Sequence, residues 1–238
     1  MGKLDAKNVV VIGGTSGIGL ATAIQAQAEG ANVTAVSRSE EKVNQAADAN
    51  PNIQFGVLDT HDIEGLTALF EKIGNIDHIV AAATGANRTM APFLEQTEEQ
   101  FQEAFNKFWG YCRVVRQGAP FLAENGSITL VSGTPARKCN PGMSSVSCVG
   151  NAVEGLTRAL ATELSPKRVN VVAPGIISTG MFDHFGDKKD AVMENIGKNI
   201  LLGRVGQADE VASAILLTMT NNYMTGVTID VDGGQLLP

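Results

Sequence analysis

Between an apolar run, Asn8–Ile12, and a helical pattern reaching about Glu29 stand Gly13-Gly14-Thr15-Ser16-Gly17-Ile18-Gly19. Glycines so placed let the chain turn tightly, bring main-chain N–H groups up to a diphosphate and seat the helix against the strand. The same glycines can also make a plain structural turn; their place between strand and helix in a βαβ unit is what points to a dinucleotide. Roughly 20 residues further on, an NAD-binding chain sets an acid against the ribose 2′-hydroxyl. Here that stretch reads Val36-Ser37-Arg38-Ser39. It has no carboxylate to repel a 2′-phosphate, and it offers a forked guanidinium and two hydroxyls to receive one. The pattern predicts NADP(H) over NAD(H), with a solvated, idle Arg38 as the alternative.

These groups need a scaffold, and the chain supplies a regular one. Apolar, β-rich runs occur at Asn8–Ile12, 32–36, 53–57, 78–82, 127–131, 169–172 and 227–231, separated by segments long enough for crossover helices. Runs such as Val9-Val10-Val11-Ile12 do not alternate, as in parallel strands covered on both faces. The expected fold class is α/β: one Rossmann domain over 1–238, a doubly wound parallel sheet of about seven strands with helices on both faces. Apolar stripes at helical spacing predict long helices over 98–122 and 144–164. The less regular stretch 178–201 reads as a mobile cover over a substrate cleft.

Composition narrows the partners. The formal net charge of −7 argues against nucleic acid and anionic membranes, which select basic surfaces. No run approaches a membrane span, and a strand begins within a few residues of Met1, so a cytoplasmic protein is expected. Cys112, Cys139 and Cys148 lack metal-site spacing, no metal is expected, and His61, His78 and His184 are scattered.

With these residues in place, the chain resembles the short-chain dehydrogenase/reductase family along essentially its whole length. Gly13-x-x-x-Gly17-Ile18-Gly19 is similar to the family's glycine signature, and Asp59, after Leu58, to the acid that meets the adenine. Ala81-Ala82-Ala83-Thr84 stands where the family has two asparagines, alanine and glycine, so its backbone is expected to line the adenosine ribose without the bracing amides. The stretch from Asn170 through Pro174, Gly175, Ile176, Ile177 and Ser178 to Thr179 resembles the segment that holds the nicotinamide carboxamide. Thr225-Gly226 and Val231-Asp232-Gly233-Gly234 complete the pattern. The resemblance further implies a homo-oligomer, dimer or tetramer, formed through the two long helices.

The family's catalytic set is tyrosine, lysine four residues later, serine thirteen residues before the tyrosine, and asparagine on the preceding long helix. Carried over onto this chain, those positions hold Val146, Gly150, Gly133 and Lys107, and no Tyr-x-x-x-Lys occurs anywhere. Valine and glycine transfer no proton. The two tyrosines, Tyr111 and Tyr223, lie away from the motif in sequence. Gly150 inside a helix implies a close approach, by a ligand or by a packed helix at a subunit contact. Lys107 is the one ionisable replacement: partial burial would bring its pKa toward neutrality, whereas pairing with Glu103, four residues earlier, would make it structural. Ser132 beside Gly133 is the second candidate, with Thr134, Ser144 and Ser145 as further hydroxyls near the vacated positions, each also suited to a turn or helix cap. Arg137 and Lys138 fit either an acidic ligand or a solvated loop.

Two functions remain open: an atypical NADP(H)-dependent oxidoreductase acting on an unidentified small molecule, or a non-catalytic NADP(H)-binding sensor or partner subunit. The first follows from family resemblance and the second from the chemistry of the substituted positions.

Overall fold

The computed structural model describes residues 2–84 and 88–238. The sheet forms as the apolar runs predict. Strands β1 (Asn8–Ile12), β2 (Asn32–Ser37), β3 (Gln54–Val57), β4 (Ile76–Ala81), β5 (Leu122–Val131), β6 (Arg168–Pro174) and β9 (Thr228–Val231) assemble in the order β3-β2-β1-β4-β5-β6-β9. Every pairing is parallel, from Val9 opposite Val33 to Val172 opposite Ile229. The unbroken valines of β1 are explained by cover on both sides. Val10 and Ile12 enter a core with Leu66, Phe70, Tyr111 and Val153, while Val9 and Val11 enter another with Ala23, Ala26, Val211 and Ile215.

The first core is closed by helices α3 (Ile63–Ile73), α5 (Asn106–Gly118) and α6 (Ser144–Glu163). The second is closed by α1 (Gly17–Ala28) and α8 (Ala208–Thr220), and α2 (Glu40–Ala49) links β2 to β3. Strand order reverses between β1 and β4, so the connections that leave their C-terminal ends run to opposite faces of the sheet and leave a crevice between them, the place where open α/β sheets bind ligands.

Three local expectations are corrected. The helix expected over 98–122 is two: α4 (Glu98–Ala104), opened by a Thr97–Gln100 capping box, and α5, with the break at Phe105, whose ψ of −8° flattens the turn. Leu122 belongs to β5, because Pro120 sits in a 3₁₀ turn over Ala119–Phe121 that ends the helix. The stretch 178–201 is more regular than expected, with a 3₁₀ run over Gly180–Lys188 kinked at Gly186 (φ 52°), then α7 (Lys189–Gly197). Met193, Ile200 and Val205 give it a small core of its own, and a strand pair, β7 (Ile177–Ser178) with β8 (Gly206–Gln207), ties its ends together. Among the described residues no helix is long and apolar enough to cross a membrane.

Candidate active site

The crevice begins where β1 ends. Gly13 has φ 84°, and a Cβ there would lie 2.5 Å from the Ala83 nitrogen; its N–H and that of Gly14 donate to the Val36 carbonyl at 2.7 and 3.2 Å. A Cβ on Gly19 would stand 2.0 Å from the Gly13 carbonyl oxygen, which is why the helix can begin so close to the strand. Gly17 (φ 53°) faces across the crevice to the Thr179 methyl, 3.4 Å from where its Cβ would be. Ser16 occupies the α1 N-cap without capping it, and the first turn holds no acid. Its forward N–H groups therefore take no bond from that side chain, and the cradle fits a diphosphate.

Thr15 is buried and donates to the Ser37 hydroxyl at 2.8 Å, tying the turn to the end of β2, while Ile18 packs into the core below. Arg38 is exposed and makes no hydrogen bond or ion pair among the described residues. Ser39 is already engaged: its hydroxyl caps α2 by accepting from the Lys42 N–H at 3.4 Å. Asp59 accepts from the His61 N–H at 2.9 Å, and Leu58 donates its N–H to Ser37. Ala81 ends β4 fully buried, Ala82 donates to the Ile12 carbonyl, and Ala83 packs its backbone on Gly13. On the far wall, Gly175 follows Pro174 where a Cβ would sit 2.8 Å from the Asp232 Cα, Ile177 is buried, and Thr179 caps the 3₁₀ run.

The positions carried over from the family meet different fates. Gly150 is buried, and a Cβ there would come 2.9 Å from the Ala136 Cβ. The 3₁₀ turn Thr134–Ala136 has closed over the site, held by the Asn151 amide on the Ala136 carbonyl at 2.5 Å. What approaches Gly150 is thus this chain's own turn. Val146 is half-buried, and Gly133 is extended (φ 164°), with Pro135 Cδ 3.4 Å from its Cβ position.

Lys107 is different. From the first turn of α5 its ammonium reaches the Ser132 carbonyl at 3.4 Å, at the C-terminal end of β5, and lies 5.4 Å from the centre of the Tyr111 ring. Burial, and secondarily the charge of Arg88, lowers its pKa to about 7. Sequence distance hid Tyr111, which α5 brings beside Lys107 at the i, i+4 spacing. Its phenol is buried, donates to the Val131 carbonyl at 3.3 Å and is held by burial far above its ordinary pKa, so it is no proton donor near neutrality. Arg88, on the loop after β4, is a residue that pattern reading missed; its guanidinium contacts the Met181 sulfur at 3.5 Å.

Ser132 turns toward α6 and donates to buried Glu154 at 3.1 Å. Arg137 lies neither free in a solvated loop nor open to a ligand: it contacts Glu154 at 3.4 Å and forks onto Asp230. Lys138 likewise clips the C-terminal segment, through the carbonyls of Gln235 at 2.7 Å and Leu237 at 3.2 Å. His78 is a core group, bonded to Ser127 at 2.8 Å and pushed by burial down to about 4.

Comparison with known proteins agrees with this architecture. Residues 13–235 match the family model described as enoyl-(acyl carrier protein) reductase. The short-chain dehydrogenase/reductase ATR9 of Stachybotrys chlorohalonatus is 32% identical, with all of both chains covered. A small-chain dehydrogenase in complex with NADPH is 35% identical with a TM-score of 0.85, over 98% of this chain and 100% of that one. An NADPH-bound short chain oxidoreductase from Pseudomonas aeruginosa PAO1, containing an atypical catalytic center, is 29% identical with a TM-score of 0.90, over 97% of each chain. With its crevice, its glycine turn and these likenesses end to end, the chain belongs to the short-chain dehydrogenase/reductase family, whose members use nicotinamide cofactors.

Proposed function

We propose that this protein is an NADP(H)-dependent oxidoreductase with a non-standard proton donor, Lys107. The carrying observation is the placement of that ammonium at the Ser132 carbonyl, at the sheet edge where the crevice ends. The nicotinamide cofactor supplies hydride when bound. The chain's own part is to hold the cofactor's diphosphate on the turn of Gly13, Gly17 and Gly19, to meet the 2′-phosphate with Arg38 and the Ser37 hydroxyl, and to give a proton from Lys107 Nζ to a substrate oxygen. Support comes from the two NADPH-bound relatives, one of which has an atypical catalytic center itself. Against it stands the closed space at Gly150, which leaves no lysine to grip the nicotinamide ribose and favours the non-catalytic NADP(H)-binding reading.

The experiment follows NADPH oxidation with a panel of quinones, carbonyls and activated alkenes against pH. The proton sits on Lys107 below its pKa and leaves above it, while Arg88 stays charged and Tyr111 stays neutral throughout. kcat/KM should therefore fall as pH rises through about 7, and that descending limb should vanish in Lys107→Met along with roughly a hundredfold of the rate. NADPH binding without turnover of any compound in the panel would leave the sensor reading. Self-association belongs to the same proposal: Trp109 is half-exposed beside Phe101 and Phe105 on α4 and α5, the face expected to meet a second copy.

A further inference from the structure

One carboxylate oxygen holds both ends of the turn that closes over Gly150. Glu154 Oε1 accepts from the Ser132 hydroxyl at 3.1 Å and lies 3.4 Å from Arg137 Nε. Between those two residues run Gly133 and the 3₁₀ turn Thr134–Ala136, whose Ala136 fills the space at Gly150. Gly150 and Glu154 stand four residues apart on α6, so the helical face that makes room for the turn also clamps it. Arg137 is anchored a second time by its fork onto Asp230, in β9.

Stability gives a poor account of this carboxylate. Glu154 is 5% exposed, next to the fully buried Val153 and near Thr157. Withdrawing a carboxylate from water is unfavourable, and apolar residues in place of a buried ion pair are often neutral or stabilising. What the carboxylate supplies, and an apolar side chain would not, is an acceptor at a fixed point for the Ser132 hydroxyl. On its other side Ser132 is held by its N–H, which donates to the Val172 carbonyl at 3.0 Å. The Ser132 carbonyl belongs to the peptide bond with Gly133, and a glycine there lets that peptide plane turn readily unless Ser132 is held. That carbonyl is the acceptor of the Lys107 ammonium, at 3.4 Å. Resting on the reading of Lys107 as proton donor, we propose that Glu154 is a positioning residue: through the Ser132 hydroxyl it sets the Ser132 carbonyl, and the carbonyl aims the Lys107 ammonium at the substrate oxygen. Glu154 transfers no proton itself. Its charge is met by Arg137 within the turn, so its influence runs through geometry.

The test compares the parent with Ser132→Ala, Glu154→Leu and Glu154→Gln, each saturated with NADPH. Glutamine keeps an oxygen for the Ser132 hydroxyl, whereas alanine and leucine each remove one end of the link. The first readout needs no turnover: the pH midpoint of Lys107, followed by NMR of lysine labelled at Cε, with the resonance identified by its loss in Lys107→Met. An ammonium without its carbonyl gives up its proton more readily. The midpoint should therefore fall by at least about half a unit in Ser132→Ala and Glu154→Leu, and return toward that of the parent in Glu154→Gln. The second readout is kinetic. In the first two variants kcat should fall about tenfold with KM and NADPH affinity as in the parent, and the double variant should be no slower than the slower single one. Combined with Lys107→Met, each should add less than about twofold to the loss that Lys107→Met gives by itself. An unmoved or raised midpoint in Ser132→Ala, a Glu154→Gln protein as impaired as Glu154→Leu, or equal losses of rate with and without Lys107 would each overturn the proposal. Should Glu154→Leu fail to fold, Ser132→Ala carries the same prediction. The two readings fail separately. Lys107-dependent turnover that neither substitution slows sinks the positioning role alone, and a shifted midpoint without Lys107-dependent turnover sinks the proton donor alone.

Discussion

Two glycine-bearing corners of this molecule use a missing side chain in opposite ways. Around Gly13, Gly17 and Gly19 the absent Cβ atoms let strand, turn and helix close up on one another, and Gly17 keeps an open wall facing Thr179. That closeness leaves the first turn of α1 without a side-chain cap or an acid, and it is there that the proposed function seats a ligand. At Gly150 the absent Cβ is taken by Ala136, whose turn is bonded down by Asn151, and the space belongs to the protein. In this family a lysine is expected at that second position. The comparison teaches that glycine marks a close approach, while the identity of what approaches is decided elsewhere in the chain.

The strongest way to break the comparison is at the first corner. Gly19→Ala puts a carbon 2.0 Å from the Gly13 carbonyl, where backbone must move. We expect about 3 kcal/mol of lost stability and roughly a hundredfold weaker NADPH binding, read by thermal melts and calorimetry; unchanged binding would mean the turn is a structural one. Next in size is Arg38→Ala. Losing a charge-assisted contact to the 2′-phosphate should weaken NADPH binding about tenfold to a hundredfold and leave NADH binding as it was. An equal loss for both would remove Arg38 from cofactor selection.

The smallest effect sharpens the second corner. Gly150→Ala gains about 1 kcal/mol of helix propensity but sets a Cβ 2.9 Å from the Ala136 Cβ and 3.3 Å from its Cα, against a backbone that Asn151 holds. The clash should win by about 1 kcal/mol, lowering Tm by a few degrees with NADPH affinity intact. A higher Tm would show that the turn yields, and that the pocket can be reopened.

Much of this fold is legible in the residues alone, for a physical reason. A parallel strand covered on both faces must be apolar at consecutive positions, so β1 announces itself in Val9-Val10-Val11-Ile12, and the glycine turn follows directly behind it. The break at Phe105 is not legible, because a flattened ψ inside an apolar stripe leaves the stripe intact. Nor is the β7–β8 pair, two residues in each strand, too short for any period to register. The functional groups divide in the same way. The interest of Lys107 rests on its type and position, and the fold adds its surroundings, the Ser132 carbonyl and the Tyr111 ring. Ser132, its companion candidate, is turned away to Glu154, a partner 22 residues along the chain.

By itself, then, the order of residues determined what depends on neighbours along the chain: the strand run, the glycine turn, the absence of an acid from Ser37 to Ser39, and the absence of a Tyr-x-x-x-Lys motif. Only the tertiary structure decided what depends on atoms distant in sequence. That includes who fills the space at Gly150, whether Arg137 and Lys138 are free, and how dry the Lys107 ammonium is. Desolvation and charge proximity act through space, and no spacing rule along the chain encodes them.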